Sequence, residues 1–228
     1  LPYFKKSENN ELGKSEFHNV DGPITVANKK INLKILDEFQ NAAEEMGIPK
    51  TNDFNTGDNS GIGFFQFTTS HSYKKLLKLR CSAAKGYLDP VKKRSNLKIV
   101  VNAHVQKINF ENKKAVGVSF YVKNNLNTVK ANKEVILSAG SIGSPQILQV
   151  SGIGDSEKLK KHGIKTIHEL KGVGKNLHDH LMFRPVYKVQ NLKSLNRKVE
   201  SLFGRFLIGL EYIFKQGGPM TMGASQVC

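Results

Sequence analysis

The chain has 228 residues, enough to bury a sizeable core in one or two domains. Its 35 Lys+Arg against 19 Asp+Glu give a formal net charge of +16, a balance that raises nucleic-acid binding. The basic residues are scattered, however, in groups such as Lys5-Lys6, Lys29-Lys30, Lys74-Lys75, Lys92-Lys93-Arg94 and Lys160-Lys161; no nucleic-acid-binding motif accompanies them, and no apolar run reaches the length of a membrane span.

Leu1 to Glu8 reads as the end of a helix, followed by a polar connector through Asn19. Asp21-Gly22-Pro23 is a turn signal and Ile24-Thr25-Val26 a short strand. Leu33, Leu36, Phe39, Ala43 and Met46 recur at helical spacing, which predicts a helix over 32–46 with this stripe in the core and Gly47 as its stop. Residues 53–63, Asp-Phe-Asn-Thr-Gly-Asp-Asn-Ser-Gly-Ile-Gly, are loop chemistry. Their carboxylates suggest calcium, but the spacing lacks the terminal Glu of an EF-hand loop, so no metal is expected there. Phe64 to Thr68 reads as a strand, and Arg80 to Leu88 as a turn into a short helix that ends before Pro90. Arg80 is expected to serve a structural ion pair. Two cysteines, Cys81 and Cys228, give neither a disulfide framework nor a metal spacing.

Strands are predicted over 97–101, 103–110, 116–122 and 127–131, the later ones joined by turns at Asn112-Lys113-Lys114 and Lys123-Asn124-Asn125. This meander feeds a compact apolar run, Val135-Ile136-Leu137, short enough for a buried strand. Ser138, Ala139, Gly140, Ser141 and Gly143 follow, and small residues at a strand exit let something bulky approach the backbone. Ser144-Pro145 reads as an N-cap and a first helical residue, Gln146 to Val150 as one or two turns, and Ser151-Gly152-Ile153-Gly154 as the stop. Strand, small-residue turn and helix is how α/β folds present backbone to a ligand.

Asp155 is a predicted N-cap for a helix to His162, with Gly163 as its stop, and 164–170 is extended. His178 and His180 would share one face of a strand, but no third metal ligand is near. Asp179-His180 suggests half of a nucleophilic triad, yet the nearby Val150-Ser151-Gly152 lacks the Gly-x-Ser-x-Gly elbow, so a hydrolase is not expected. Phe183 to Val189 reads as a strand. Leu202 to Phe214 reads as an amphipathic helix with Leu202, Phe206, Leu210 and Ile213 or Phe214 on its inner face, closed by Gly217-Gly218-Pro219. The chain starts at Leu1 without Met and stops at Cys228, and both ends read as cut from a longer protein.

The run from Gly140 to Gly154, Gly-Ser-Ile-Gly-Ser-Pro-Gln-Ile-Leu-Gln-Val-Ser-Gly-Ile-Gly, resembles a signature of the glucose–methanol–choline (GMC) family of flavoenzymes. Val173-Gly174-Lys175-Asn176-Leu177-His178-Asp179-His180 resembles a second family phrase, and Arg80-Cys81-Ser82-Ala83-Ala84 with Tyr87-Leu88 and Pro90 a third. The resemblance spans nearly the whole chain, and the spacing of its minor motifs is similar to the insect branch, which includes glucose dehydrogenase-like proteins.

The resemblance implies an α/β fold: an incomplete FAD/NAD(P)-binding Rossmann-like domain with a β-meander over 1–185, lacking its first βαβ unit, and the start of an antiparallel substrate domain over 186–228. It implies an FAD-dependent oxidoreductase that oxidises CH–OH groups of alcohols or sugars. A histidine takes the hydroxyl proton, hydride passes to flavin N5, and oxygen or a quinone accepts the electrons. Val105, Ala139, Gly140 and Ser141 are the residues it places against the flavin, with Asp179 and His180 near it. No Gly-x-Gly-x-x-Gly follows a first strand, and none of the seven histidines sits in the family's catalytic context, so the chain alone is expected to be inactive and free of FAD. The competing readings are a GMC-fold module without catalysis and a basic nucleic-acid-binding protein.

Overall fold

The computed structural model describes every residue except 29, 30, 32, 72–77, 184, 185, 192, 193 and 224, and every described side chain except those of 70, 71, 78, 79 and 197. Lys29-Lys30, Lys74-Lys75, the first residue of the helix predicted over 32–46 and part of the strand predicted over 183–189 lie outside the described residues. In chain order the elements are α1 (Pro2–Ser7), β1 (Glu8–Asn10), β2 (Ile24–Ala27), α2 (Lys34–Glu45), β3 (Phe67–His71), β4 (Lys78–Arg80), β5 (Ala103–Glu111), β6 (Lys114–Val122), β7 (Asn125–Lys130), α3 (Gly140–Val150), β8 (Ile153–Gly154), α4 (Ser156–Lys161), β9 (His168–Glu169), α5 (Asn196–Glu200) and α6 (Leu202–Lys215). Helices and small sheets alternate as the α/β reading expects. The chain forms two compact units, one of Leu1–Leu97 with Val186–Cys228, the other of Lys98–Pro185.

The first unit is built on a sheet in the order β1-β2-β3-β4. β1 runs parallel to β2, with Glu8 opposite Ile24, and the other pairs are antiparallel. β1 was not expected: its sequence, Glu8-Asn9-Asn10, is polar and reads as connector. It becomes a strand because its polar groups are used inside the unit. His18, 5% exposed, sits with Nδ1 3.0 Å from Glu8 Oε1 and Nε2 2.7 Å from Asp53 Oδ2. Asn10, also buried, exchanges amide hydrogen bonds with Gln66. The strand predicted at Phe64 begins instead at Phe67, and Phe64 makes a single bridge to Val227.

Helix α2 has the expected extent and keeps part of the expected inner face, with Leu33 and Leu36 half-buried. Gln40 and Ala43 are buried, whereas Phe39 and Met46 are 56% and 81% exposed. In helix α6 Ile208 is buried and the predicted Leu210 half-buried, while Leu202, Phe206, Ile213 and Phe214 face outward. The short helix predicted before Pro90 is one wide turn, Ala84–Leu88, closed by Asp89 N–H donating to the Ala84 carbonyl at 2.8 Å. The ion pair expected for Arg80 is absent among the described residues: no carboxylate pairs with it, and its side chain is exposed.

The second unit contains the predicted meander, β5-β6-β7, all antiparallel. Its two loops are two residues long rather than three. Glu111 pairs with Lys114 and Val122 with Asn125, leaving Asn112-Lys113 and Lys123-Asn124 as loops with all four φ values positive. That turn geometry matches the twist of the strands it joins. Helix α3 packs on β5, and its C-terminal Ser151 seals the contact: its buried hydroxyl accepts from Ile108 N–H at 2.8 Å and donates to the Ile147 carbonyl. β8 and β9 form a short parallel pair. Between them α4 is capped as predicted, Asp155 Oδ1 accepting from Glu157 and Lys158 N–H.

The runs read as strands at 97–101 and 135–137 pair with no described residue, and Val101 and Ile136 are 70% and 78% exposed. They carry strand-forming side chains, but a strand also needs a neighbour for its N–H and C=O groups.

Candidate functional site

The small-residue stretch after Leu137 leads directly into α3, which starts at Gly140, earlier than the Ser-Pro signal implies. Ser144 does not cap from outside. It lies within the helix, and its hydroxyl accepts from Ala139 N–H at 3.0 Å. Pro145 is therefore inside the helix, where it has no N–H to give the Ser141 carbonyl. Gly140 holds φ +80°, a conformation that side chains with a Cβ disfavour. A Cβ built on Gly140 would meet nothing within 4 Å. Residues 138–142 are all exposed.

An earlier helix start puts Ser141 and Pro145, and Ile142, Gln146 and Gln149, at helical spacing on one face. That face is one wall of a cleft of about 1160 Å³. α4 supplies Lys158, Leu159 and Lys161 opposite, and the loop after β9 supplies Lys175, Asn176, Leu177 and His178. Gly174 lets this loop ride against α3: its φ is +77°, and a Cβ there would lie 2.8 Å from Gln149 Nε2. Gln149 Nε2 also donates to the Pro145 carbonyl at 3.3 Å. Among the described residues no carboxylate lines the cleft. Three lysines do, one of them partly offset, since Lys175 Nζ lies 3.6 Å from Asp155 Oδ2. The same cation, with the Lys158 and Glu157 N–H groups, holds the Asp155 carboxyl below the usual range; the Lys158 N–H is the largest cause. The cleft thus combines apolar surface with uncompensated positive charge, and it suits an anionic ligand with an apolar portion.

Of the residues expected at a flavin, Ser141 stands on the cleft wall, and Ala139 and Gly140 immediately precede it. Val105 is half-buried in β5, opposite Phe120 at a register shift, and does not line the cleft. Asp179 and His180 follow the lining residue His178 without lining it themselves; Asp179 Oδ1 accepts from His180 N–H at 2.8 Å. Gln149, Lys158, Lys175 and Asn176 were not foreseen, although the i, i+4, i+7 spacing of Ile142, Gln146 and Gln149 announces a shared face once the helix is begun at Gly140.

The His18 cluster is a competing constellation of titratable groups. Burial works against the imidazolium, but the Asp53 and Glu8 carboxylates outweigh it and raise the pKa above the ordinary value. Both ring nitrogens are engaged by carboxylates, so none is free to take a proton from a substrate. Asp53 also accepts Asn55 N–H at 2.9 Å, which spends its other oxygen on the loop. The cluster ties β1 to residues 51–55. Among the described residues no group of three or more His, Cys, Asp and Glu is arranged to hold a metal ion.

A flavin dinucleotide fits this chain in part. The bare backbone at Gly140 and the lysines of the cleft, Lys158 and Lys161 without a described carboxylate partner, suit a flat, anionic group. The glycine-rich phosphate turn that holds the diphosphate in dinucleotide folds is not among these residues.

The GMC oxidoreductase family matches residues 1–182. Oxygen-dependent choline dehydrogenase of Chromohalobacter salexigens is 41% identical over 230 residues, covering 100% of this chain and 40% of the relative. Alcohol dehydrogenase [acceptor] of Pseudomonas putida is 39% identical, covering 98% and 40%. Among solved structures, an FAD-dependent oxidoreductase from Chaetomium thermophilum superposes with a TM-score of 0.83 at 27% identity, covering 100% of this chain and 41% of that one. The chain therefore spans about 40% of the length of the curated relatives it matches. Motifs, fold and the extent of the match agree that this chain belongs to the GMC oxidoreductase family.

Proposed function

We propose that this chain is part of an FAD-dependent oxidoreductase that oxidises CH–OH groups of alcohols or sugars and passes electrons to an external acceptor, oxygen or a quinone. The observation that carries the reading is the start of α3, where Gly140 holds a left-handed conformation with its Cβ direction clear of every other group. When bound, FAD supplies the hydride acceptor. The residues of this chain bind and shape. Gly140 and Ser141 offer bare backbone, Lys158 and Lys161 offer positive charge, and Ile142 and Leu177 exclude water. Val105, Asp179 and His180 are further neighbours of the flavin in this reading, supported by the family resemblance alone. The names of the relatives, choline and alcohol dehydrogenases, support an alcohol as substrate. Glucose dehydrogenase-like specificity is the finer form of the proposal, as is the division into a flavin-binding part over 1–185 and a substrate part from 186. The reading also holds that the 228-residue chain by itself retains no FAD.

The test is made in the longer parent protein with Gly140→Val and Ser141→Leu, which fill the start of α3. Flavin content is read from visible absorbance and folding from circular dichroism. Both variants are expected to fold and to lose flavin, and the wild type to reduce a dye with choline or a primary alcohol. Full flavin content in both variants overturns the site. Flavin retained by a wild type that no alcohol reduces overturns the enzyme and favours the non-catalytic module.

A further inference from the structure

A second cavity lies wholly within the first unit, about 780 Å³ in volume and within the range of small-ligand pockets. Phe65, Phe67, Met220 and Met222 give it apolar walls, and Thr69 and Arg80 stand among its polar groups. Among the described residues no carboxylate lines it. Thr69 and Arg80 are directly opposed in the β3–β4 pair, so both side chains leave the sheet on the same face. The wall above Phe67 is closely packed: a Cβ on Gly223 would collide with the Phe67 ring, which seats the Met222–Gly223 segment against it.

Arg80 is the one charged group among the described residues lining this space, and no described carboxylate pairs with it. A guanidinium stays protonated at any physiological pH and offers a planar fork of N–H donors. Exposed at the cavity's edge and without a described carboxylate partner, this fork can receive a planar anion that takes two parallel hydrogen bonds. A single cation with a neighbouring hydroxyl suits one carboxylate better than a phosphate, and the aromatic and thioether walls suit an apolar body attached to it. We propose that this cavity binds a small monocarboxylate with an apolar body, its carboxylate on Arg80 and its body against Phe65, Phe67 and Met222.

Titration calorimetry on the 228-residue chain, with phenylacetate, phenylacetamide and inorganic phosphate as probes, tests the proposal without reference to flavin or turnover. Phenylacetate is expected to bind saturably at one site, and phenylacetamide and phosphate at least about tenfold more weakly. R80M is expected to weaken phenylacetate by about tenfold or more, with R80K between it and wild type because an ammonium keeps the charge and loses the fork. M222W, which fills the cavity and leaves Arg80 in place, is expected to abolish binding and guards against a folding defect in R80M. Absence of saturable phenylacetate binding, equal binding of the amide or of phosphate, or undiminished binding by folded R80M and M222W would each overturn it.

Discussion

One buried side-chain hydrogen bond joins the end of α3 to β5, and Ser151→Ala removes it. The Ser151 hydroxyl accepts from Ile108 N–H at 2.8 Å, and the two residues are 5% and 6% exposed. β5 is the outer strand of the meander, so this amide has turned away from the ladder and the serine oxygen is its partner. Alanine keeps the helix and leaves a buried N–H without an acceptor. The cost of such a group is about 1–3 kcal/mol, set against a total of about 5–15 kcal/mol for an ordinary domain. Urea unfolding followed by far-UV circular dichroism measures the loss, and amide exchange at Ile108 localises it. The midpoint is expected to fall with the slope unchanged, exchange at Ile108 to accelerate, and Ser151→Thr to recover most of the loss. Ser144→Ala is the control. It also removes a hydroxyl that accepts a backbone N–H, but that of Ala139 is exposed and water replaces it, so the loss should stay below about 0.5 kcal/mol. Equal effects of the two substitutions, or an unchanged midpoint in S151A, would show that burial of the Ile108 amide is not what the serine relieves.

His18→Gln should destabilise the chain most at about pH 6 and progressively less toward about pH 9: the histidine's raised folded pKa means that its contribution is complete below its unfolded value of about 6.5 and is lost as pH rises through the folded value. Chemical denaturation of both proteins across that range measures the gap, and a gap that stays constant or widens with pH refutes the doubly clamped imidazolium. In the meander loops Lys113 and Asn124 hold φ +67°, so glycine at either should stabilise by up to about 0.5–1 kcal/mol, with Lys113→Gly gaining more because asparagine already tolerates this conformation. Thermal melts give the order, and a lower melting temperature for K113G would count against the two-residue loops.

What could be read in advance was what is complete within a short stretch. The meander was legible because its strands pair with their sequence neighbours across Asn-Lys loops, and α4 because Asp155 caps it with its own side chain. The extent of α6 was legible and its inner face only in part. Periodicity fixes which side chains share a side, but the element that covers one side decides that Ile208 is buried and Phe206 is not. β1 escaped because Glu8 and Asn10 look solvent-bound until His18 and Gln66, from elsewhere in the chain, supply their partners. The start of α3 escaped because Ser144-Pro145 is a strong local signal for a helix start, whereas the helix begins a turn earlier at Gly140 and the Ser144 hydroxyl accepts the Ala139 N–H from within it.

The remaining misses share a physical cause that bears on the site. Residues 97–101 and 135–137 have the side chains of strands, yet a strand is a property of a pair, and no described residue of this chain pairs with them. Small residues are likewise half of a contact: they say that something comes close, without saying what. Gly174 and Gly140 separate the two cases. At Gly174 the close neighbour is internal, the Gln149 amide, and the glycine is explained by packing. At Gly140 the backbone is equally left-handed, but a Cβ there would meet no described atom within 4 Å. Internal crowding accounts for Gly143, whose Cβ would lie 3.2 Å from the Ala139 Cβ, but not for Gly140, and Ser141, the next residue, stands on the wall of the cleft. In the proposed reading, a group from outside the described chain approaching along that wall is the partner of those residues.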